Sequence, residues 1–65
     1  MPRYYLNVHF DDAMQRDYVG LELPRLDDAV AETARARTEI MDEDQIDQLW
    51  FEITDRRGRM VAKVG

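Results

Sequence analysis

Residues 26–42 read Leu26-Asp27-Asp28-Ala29-Val30-Ala31-Glu32-Thr33-Ala34-Arg35-Ala36-Arg37-Thr38-Glu39-Ile40-Met41-Asp42, and this stretch decides the fold. Apolar or small residues fall at Leu26, Ala29, Val30, Thr33, Ala34, Ala36, Ile40 and Met41, close to the spacing of one helical face. Glu32, Arg35 and Glu39 stand three and four apart on the far side, a solvated face with weak ion-pair support. Asp27 is the expected N-cap, and Asp28 adds negative charge where the helix dipole favours it. Leu26, just before that cap, is placed to pack on Ala31 as a hydrophobic staple.

Outward from this helix the period changes to two. Tyr4, Leu6, Val8 and Phe10 alternate with Tyr5, Asn7 and His9, the pattern of a half-buried strand rich in aromatic and β-branched residues. Asp11 and Asp12 supply turn chemistry. Val19, Leu21 and Leu23 then alternate with Tyr18, Gly20 and Glu22, and Pro24, lacking an N–H, ends that strand. Residues 14–17 fit either an extension of the strand or a loose turn. Beyond the helix, residues 42–48 form an acidic stretch with one hydrophobe, Ile46. Leu49, Phe51 and Ile53 alternate with Trp50, Glu52 and Thr54. Asp55-Arg56-Arg57-Gly58 reads as a type I turn with Gly58 in the left-handed region, leading into a last strand over residues 59–64. The expected register sets Ile53 opposite Met60, Phe51 opposite Ala62 and Leu49 opposite Val64.

The fold class is therefore α+β, in the order β-β-α-β-β. One domain spans residues 1–65, with a four-stranded antiparallel sheet of order 2-1-3-4 and one helix packed on one face, over Leu6, Val8, Phe51 and Ile53. The opposite face then carries Tyr5, Asn7, His9, Tyr18, Trp50, Glu52, Val61 and Lys63. Those residues are a candidate interaction surface, since Tyr and Trp are favoured at interfaces. The blander expectation is a solvated sheet with Lys63 over Trp50 as a cation–π contact.

Composition narrows function further. Sixty-five residues with no cysteine exclude a disulfide framework and a thiolate zinc site, the usual staples of so short a chain. Oligomerisation is the remaining common remedy for a small core. Apolar runs are only a few residues long, so neither a membrane span nor a secretory segment is expected, and the chain reads as soluble and cytoplasmic. Serine is absent, and His9 is the only histidine. No nucleophile–base constellation is available, and the protein is expected not to be an enzyme. His9 beside Asp11 and Asp12 reads as a surface histidine and not a metal ligand. Asp42, Glu43, Asp44 and Asp47 lack the glycine and closing glutamate of a calcium loop. No metal or cofactor is expected.

The net charge of -5 is unevenly spread. Residues 26–48 carry two basic and eight acidic side chains, whereas residues 49–65 carry four basic and two acidic. Arg56, Arg57 and Arg59 make a candidate basic hairpin, complementary to an acidic helix of a neighbour or to a phosphate backbone. The expected partner is a second copy, forming a homodimer through the open sheet face or an edge strand, or another protein. Nucleic-acid binding is the alternative, disfavoured by the overall acidity.

Met1-Pro2-Arg3-Tyr4-Tyr5 opening a strand, Gly20-Leu21-Glu22-Leu23-Pro24 stepping into the helix, and Trp50-Phe51-Glu52-Ile53-Thr54-Asp55 leading to Gly58-Arg59 together carry a family likeness. The chain resembles the DUF6894 family of short bacterial hypothetical proteins, a domain of unknown function, over almost its whole length. It departs from that family in the acidic stretch after Met41. The resemblance implies no activity and assigns no site residue. A looser similarity, of topology alone, is to the small antitoxin fold of the HicB type, which implies a protein partner and dimers.

Overall fold

The computed structural model describes residues 1–44, 46 and 48–65, with every side chain among them except that of residue 44. Strand β1 (Arg3–Phe10) runs through the middle of an antiparallel sheet. The chain reverses at Asp11 and Asp12, Asp11 taking a φ of 50°. Strand β2 (Ala13–Gln15) returns with Phe10 opposite Ala13 and Val8 opposite Gln15. After residues 16–20, strand β3 (Leu21–Glu22) rejoins the same edge of β1, with Tyr4 opposite Leu21. The backbone N–H of Leu23 donates to the carbonyl of Pro2 at 3.1 Å and extends that pairing by one bond.

Helix α1 (Leu26–Asp44) then crosses the sheet, followed by β4 (Leu49–Thr54), which pairs β1 along its other side, and β5 (Met60–Val64) at the far edge. The α+β class, the single helix and the antiparallel sheet agree with the sequence pattern. The strand count and order differ slightly. Five strands replace four, because the second limb is split into β2 and β3, and the order reads β2-β1-β4-β5 with β3 also on β1.

The split has a local cause. Four steps along β1, from Val8 to Tyr4, are matched by six along the second limb, from Gln15 to Leu21. Two residues are therefore extruded, and the limb cannot stay in the ladder.

The helix lies chiefly over β4 and β5. Tyr4, Ala29 and Ile53 form the buried cluster, with Leu6, Leu23, Leu26, Val30, Ala62 and Val64 packed around it. Where the helix touches down its side chains are small. Ala29 and Thr33 are fully buried, and the Thr33 hydroxyl donates back to the Ala29 carbonyl at 2.7 Å, so no polar atom is stranded. Arg37 Nε donates to the Leu49 carbonyl at 2.7 Å and ties the helix to the start of β4.

Three details of the helix and the last hairpin correct the sequence reading. Asp27 is not the N-cap, because the helix begins at Leu26, two residues earlier than that cap requires. The carbonyl of Arg25 accepts from Asp28 N at 3.1 Å and Ala29 N at 3.4 Å, leaving Asp27 and Asp28 as first-turn acids. Nor does Leu26 staple onto Ala31, which is exposed; Leu26 packs on the Tyr4, Ala29 and Ile53 cluster. The third correction is a slip of two residues in the β4–β5 register. Ile53 faces Ala62, Phe51 faces Val64 and Glu52 faces Lys63, with an irregularity between Ile53 and Thr54 that sets Thr54 opposite Met60. A slip of two preserves parity, so Ala62, Lys63 and Val64 keep their faces. The irregularity between Ile53 and Thr54 breaks that parity before Ala62, and Val61, expected on the face away from the helix, lies on the helix side instead.

Candidate interaction surfaces

The sheet face away from the helix brings His9, Trp50 and Lys63 together from three adjacent strands. His9 and Trp50 are cross-strand neighbours, and their rings stack at 3.9 Å between centroids and 7° between planes. Lys63 Nζ lies 4.7 Å from the indole centroid. Because β1 and β5 flank β4 on opposite sides, the indole is held between an imidazole and an ammonium group. His9 Nε2 also meets Glu52 Oε1 at 3.4 Å. The histidine is thus a stacked, half-buried side chain facing a carboxylate, not a free surface ligand. Among the described residues no group of three or more His, Cys, Asp or Glu side chains is placed to hold a metal ion.

The rest of that face is not open as expected. Asn7 is 2% exposed, and its Oδ1 accepts from Asp17 N at 2.9 Å. The Asp17 carboxylate in turn accepts from Leu6 N at 3.1 Å and from Val19 N and Gly20 N, both at 3.0 Å. One side chain therefore receives the N–H of β1 that the split second limb leaves without a strand partner. Burial by itself would raise the pKa of Asp17. The N–H donors of Gly20, Leu6 and Val19, with the charge of Arg3, outweigh it and hold the group below the usual carboxylate range. Sequence reasoning missed this residue. Its one signal was an aspartate followed two and three residues on by Val19 and Gly20, the spacing of an Asx turn.

Tyr5 is half-buried beneath Gly20, whose φ is +79°. A Cβ at Gly20 would stand 2.8 Å from Arg3 Cγ and 2.9 Å from Tyr5 Cε1. Tyr18, at 83% exposure, projects from the extruded loop. Val61, beside the β4–β5 irregularity, lines a hollow with Tyr4 and Leu26 from the helix side of the sheet. Of the eight residues expected on one open face, His9, Trp50, Glu52 and Lys63 make a contiguous cluster. Tyr5 and Asn7 are covered by the loop, while Tyr18 and Val61 lie apart.

At the hairpin, Asp55 does for β4 and β5 what Asp17 does for β1. Its carboxylate accepts from Arg57 N at 2.8 Å, Arg59 N at 3.0 Å and Arg59 Nε at 3.1 Å. The Arg59 backbone N–H is the largest reason its pKa lies below the usual range. Gly58 takes the expected left-handed conformation, with a φ of +80°. Arg56 and Arg57 are exposed and, among the described residues, make no ion pair.

Fold and surfaces together define a small α+β domain, one helix on one side of an antiparallel sheet, whose polar clusters serve to close its edges and turns. It belongs to the family described as "Domain of unknown function (DUF6894)", whose family model matches residues 3–65. No curated protein and no solved structure matches the chain. No helix is long and apolar enough to cross a membrane among the described residues.

Proposed function

We propose that this protein is a small non-enzymatic interaction module that self-associates as a homodimer by pairing the β5 edges of two copies. The observation that carries the reading is β5 itself. It is a five-residue strand with one sheet neighbour, four apolar residues and a single charge, and it leaves Met60 57% exposed. An unpaired row of N–H and C=O groups of that kind is a template for a further strand.

Edge pairing suits this geometry better than docking on the sheet face, since the loop at residues 16–20 covers Asn7 and Tyr5. It also suits it better than nucleic-acid binding. Single-stranded nucleic acid binds sheets by stacking bases on free ring faces, and the Trp50 indole already has a partner on each side.

Sedimentation equilibrium of the full chain at about 0.15 M salt tests the proposal. The expected result is a monomer–dimer equilibrium in the micromolar range. Met60→Lys, which sets a second cation on the edge, is expected to weaken it about tenfold, a change of about 1.4 kcal/mol. A wild-type chain that stays monomeric throughout that range overturns the reading.

A further inference from the structure

The two ends of the helix differ in their unpaired charges: Arg56, Arg57 and Asp27 at one, and Asp11, Asp12, Asp42 and Glu43 at the other, among the described residues. At one end the start of the helix, the start of β1 and the β4–β5 hairpin enclose a hollow of about 320 Å³. Its floor is apolar, built from Tyr4, Leu26 and Val61, and Arg56 and Arg57 stand on its rim. The neighbouring Arg3 and Arg59 are occupied: Arg3 holds Glu22 at 2.8 Å, and Arg59 holds Asp55 at 3.1 Å. Arg56 and Arg57 have no such partner among the described residues. An apolar floor with two uncommitted guanidinium groups is complementary to an apolar side chain followed by carboxylates.

The chain carries such a segment at its other end. The helix runs out through the half-buried Ile40 and Met41 into the exposed Asp42 and Glu43, with no basic residue in its last turn. Phe10 and Ile40 line one hollow there, which sets the Asp11 and Asp12 turn beside the helix end. None of these four acids is ion-paired among the described residues. Nineteen helical residues separate the ends by about 28 Å, in a body measuring 34 × 20 × 17 Å. The helix dipole adds to the asymmetry with the same sign, positive at the arginine end and negative at the acidic end.

We infer that the acidic helix end of one copy, residues 40–43, docks in the Arg56 and Arg57 hollow of the next. Asp42 and Glu43, both exposed, meet the guanidinium groups, and Met41, about 100° round the helix from Asp42, reaches only the margin of the apolar floor. The two surfaces sit at opposite ends of one subunit, so the contact is heterologous and propagates head to tail instead of closing as a dimer. It takes from β5 only the Val61 side chain and stands whether or not the edges pair.

The test is sedimentation velocity on the whole chain carrying Met60→Lys, at concentrations below those at which the tenfold-weakened edge pairing populates a dimer. At about 10 mM salt the mass is expected to grow past dimer with concentration, and at about 1 M salt to return to monomer, because exposed charges are then screened. Adding Arg56→Ala with Arg57→Ala removes one end; adding Asp42→Asn with Glu43→Gln removes the other. Each variant alone is expected to be monomeric at low salt, with an unchanged thermal melt. Their equimolar mixture is expected to form a 1:1 complex and nothing larger. Growth of either variant alone to the wild-type extent, or a mixture that fails to associate, overturns the contact. A salt-insensitive dimer in the unsubstituted chain reports on β5 pairing separately, so the two readings fail independently.

Discussion

The two edges of this sheet carry similar lengths of strand and end differently. On the β1 side, β2 and β3 together supply five paired residues, but in pieces of three and two with five residues between them. On the far side β5 supplies five residues in one piece. The broken edge is closed by a side chain: Asp17 receives the amide of Leu6, and the same loop covers Asn7 and Tyr5. The continuous edge has only Lys63 and a local irregularity to discourage a further strand. A small sheet thus has two ways to treat an edge, and here one is broken by a polar loop while the other runs on as a single unpaired strand.

The sharpest way to break this contrast is to remove the seal. Asp17→Ala deletes the acceptor of three backbone N–H groups, and bonds to charged acceptors are the costlier ones to lose. A loss of about 2–3 kcal/mol in urea unfolding is expected. Asp17→Asn, which keeps one carbonyl oxygen, is expected to lose less. Acidification reads the same bond. Because the folded pKa of Asp17 is depressed, its contribution is complete above the unfolded carboxylate value, about pH 4, and is lost as pH falls through the lower folded value. The wild type is expected to lose stability over that acid range, and Asp17→Ala to lose less. Parallel acid profiles for the two proteins would remove the clasp from the account of this edge.

A matched pair of glycine substitutions comes next in size. Gly20 and Gly58 share a φ close to +80°, so replacing either with alanine carries the same backbone penalty, about 1 kcal/mol. Only at Gly20 does the new Cβ meet neighbours, Arg3 and Tyr5 below 3.0 Å; at Gly58 nothing lies within 4 Å. Gly20→Ala is expected to cost about 2 kcal/mol and Gly58→Ala about 1 kcal/mol, measured by thermal unfolding. Equal losses would mean that the loop does not press on Tyr5, and that the face beneath it is more open than its packing implies.

How much of this was legible in the sequence depends on the range of the interaction. Alternation fixed the faces: Tyr4 and Ile53 are buried against Ala29, and Trp50 sits on the far side with His9 and Lys63. Alternation carries no information about a slip of two, so the β4–β5 register went astray without disturbing the faces of residues 62–64, and only Val61, at the irregularity, changed sides. The fate of Asn7 was hidden for another reason. Its burial depends on the extruded loop at residues 16–20, and that loop depends on a length mismatch between two strands, a relation that no window along one strand displays. The cap failed in a simpler way: the helix starts after Arg25, whose side chain is not a preferred cap, so local cap preference pointed to Asp27 instead.

The smallest expected effect bears on the β5 edge. Lys63 is the only charge on β5, and its ammonium group also rests on Trp50 at 4.7 Å. Its two roles pull in opposite directions when it is replaced. Lys63→Thr keeps strand propensity and removes the cation, so the folded chain is expected to lose about 0.5–1 kcal/mol with the cation–π contact. Pairing of two copies should strengthen in the same variant, because the charge that discourages a further strand is gone. Thermal unfolding reads the first change and sedimentation the second. A variant that is slightly less stable yet associates more tightly separates the two roles. One that associates more weakly would mean that Lys63 contributes to the contact and does not guard the edge.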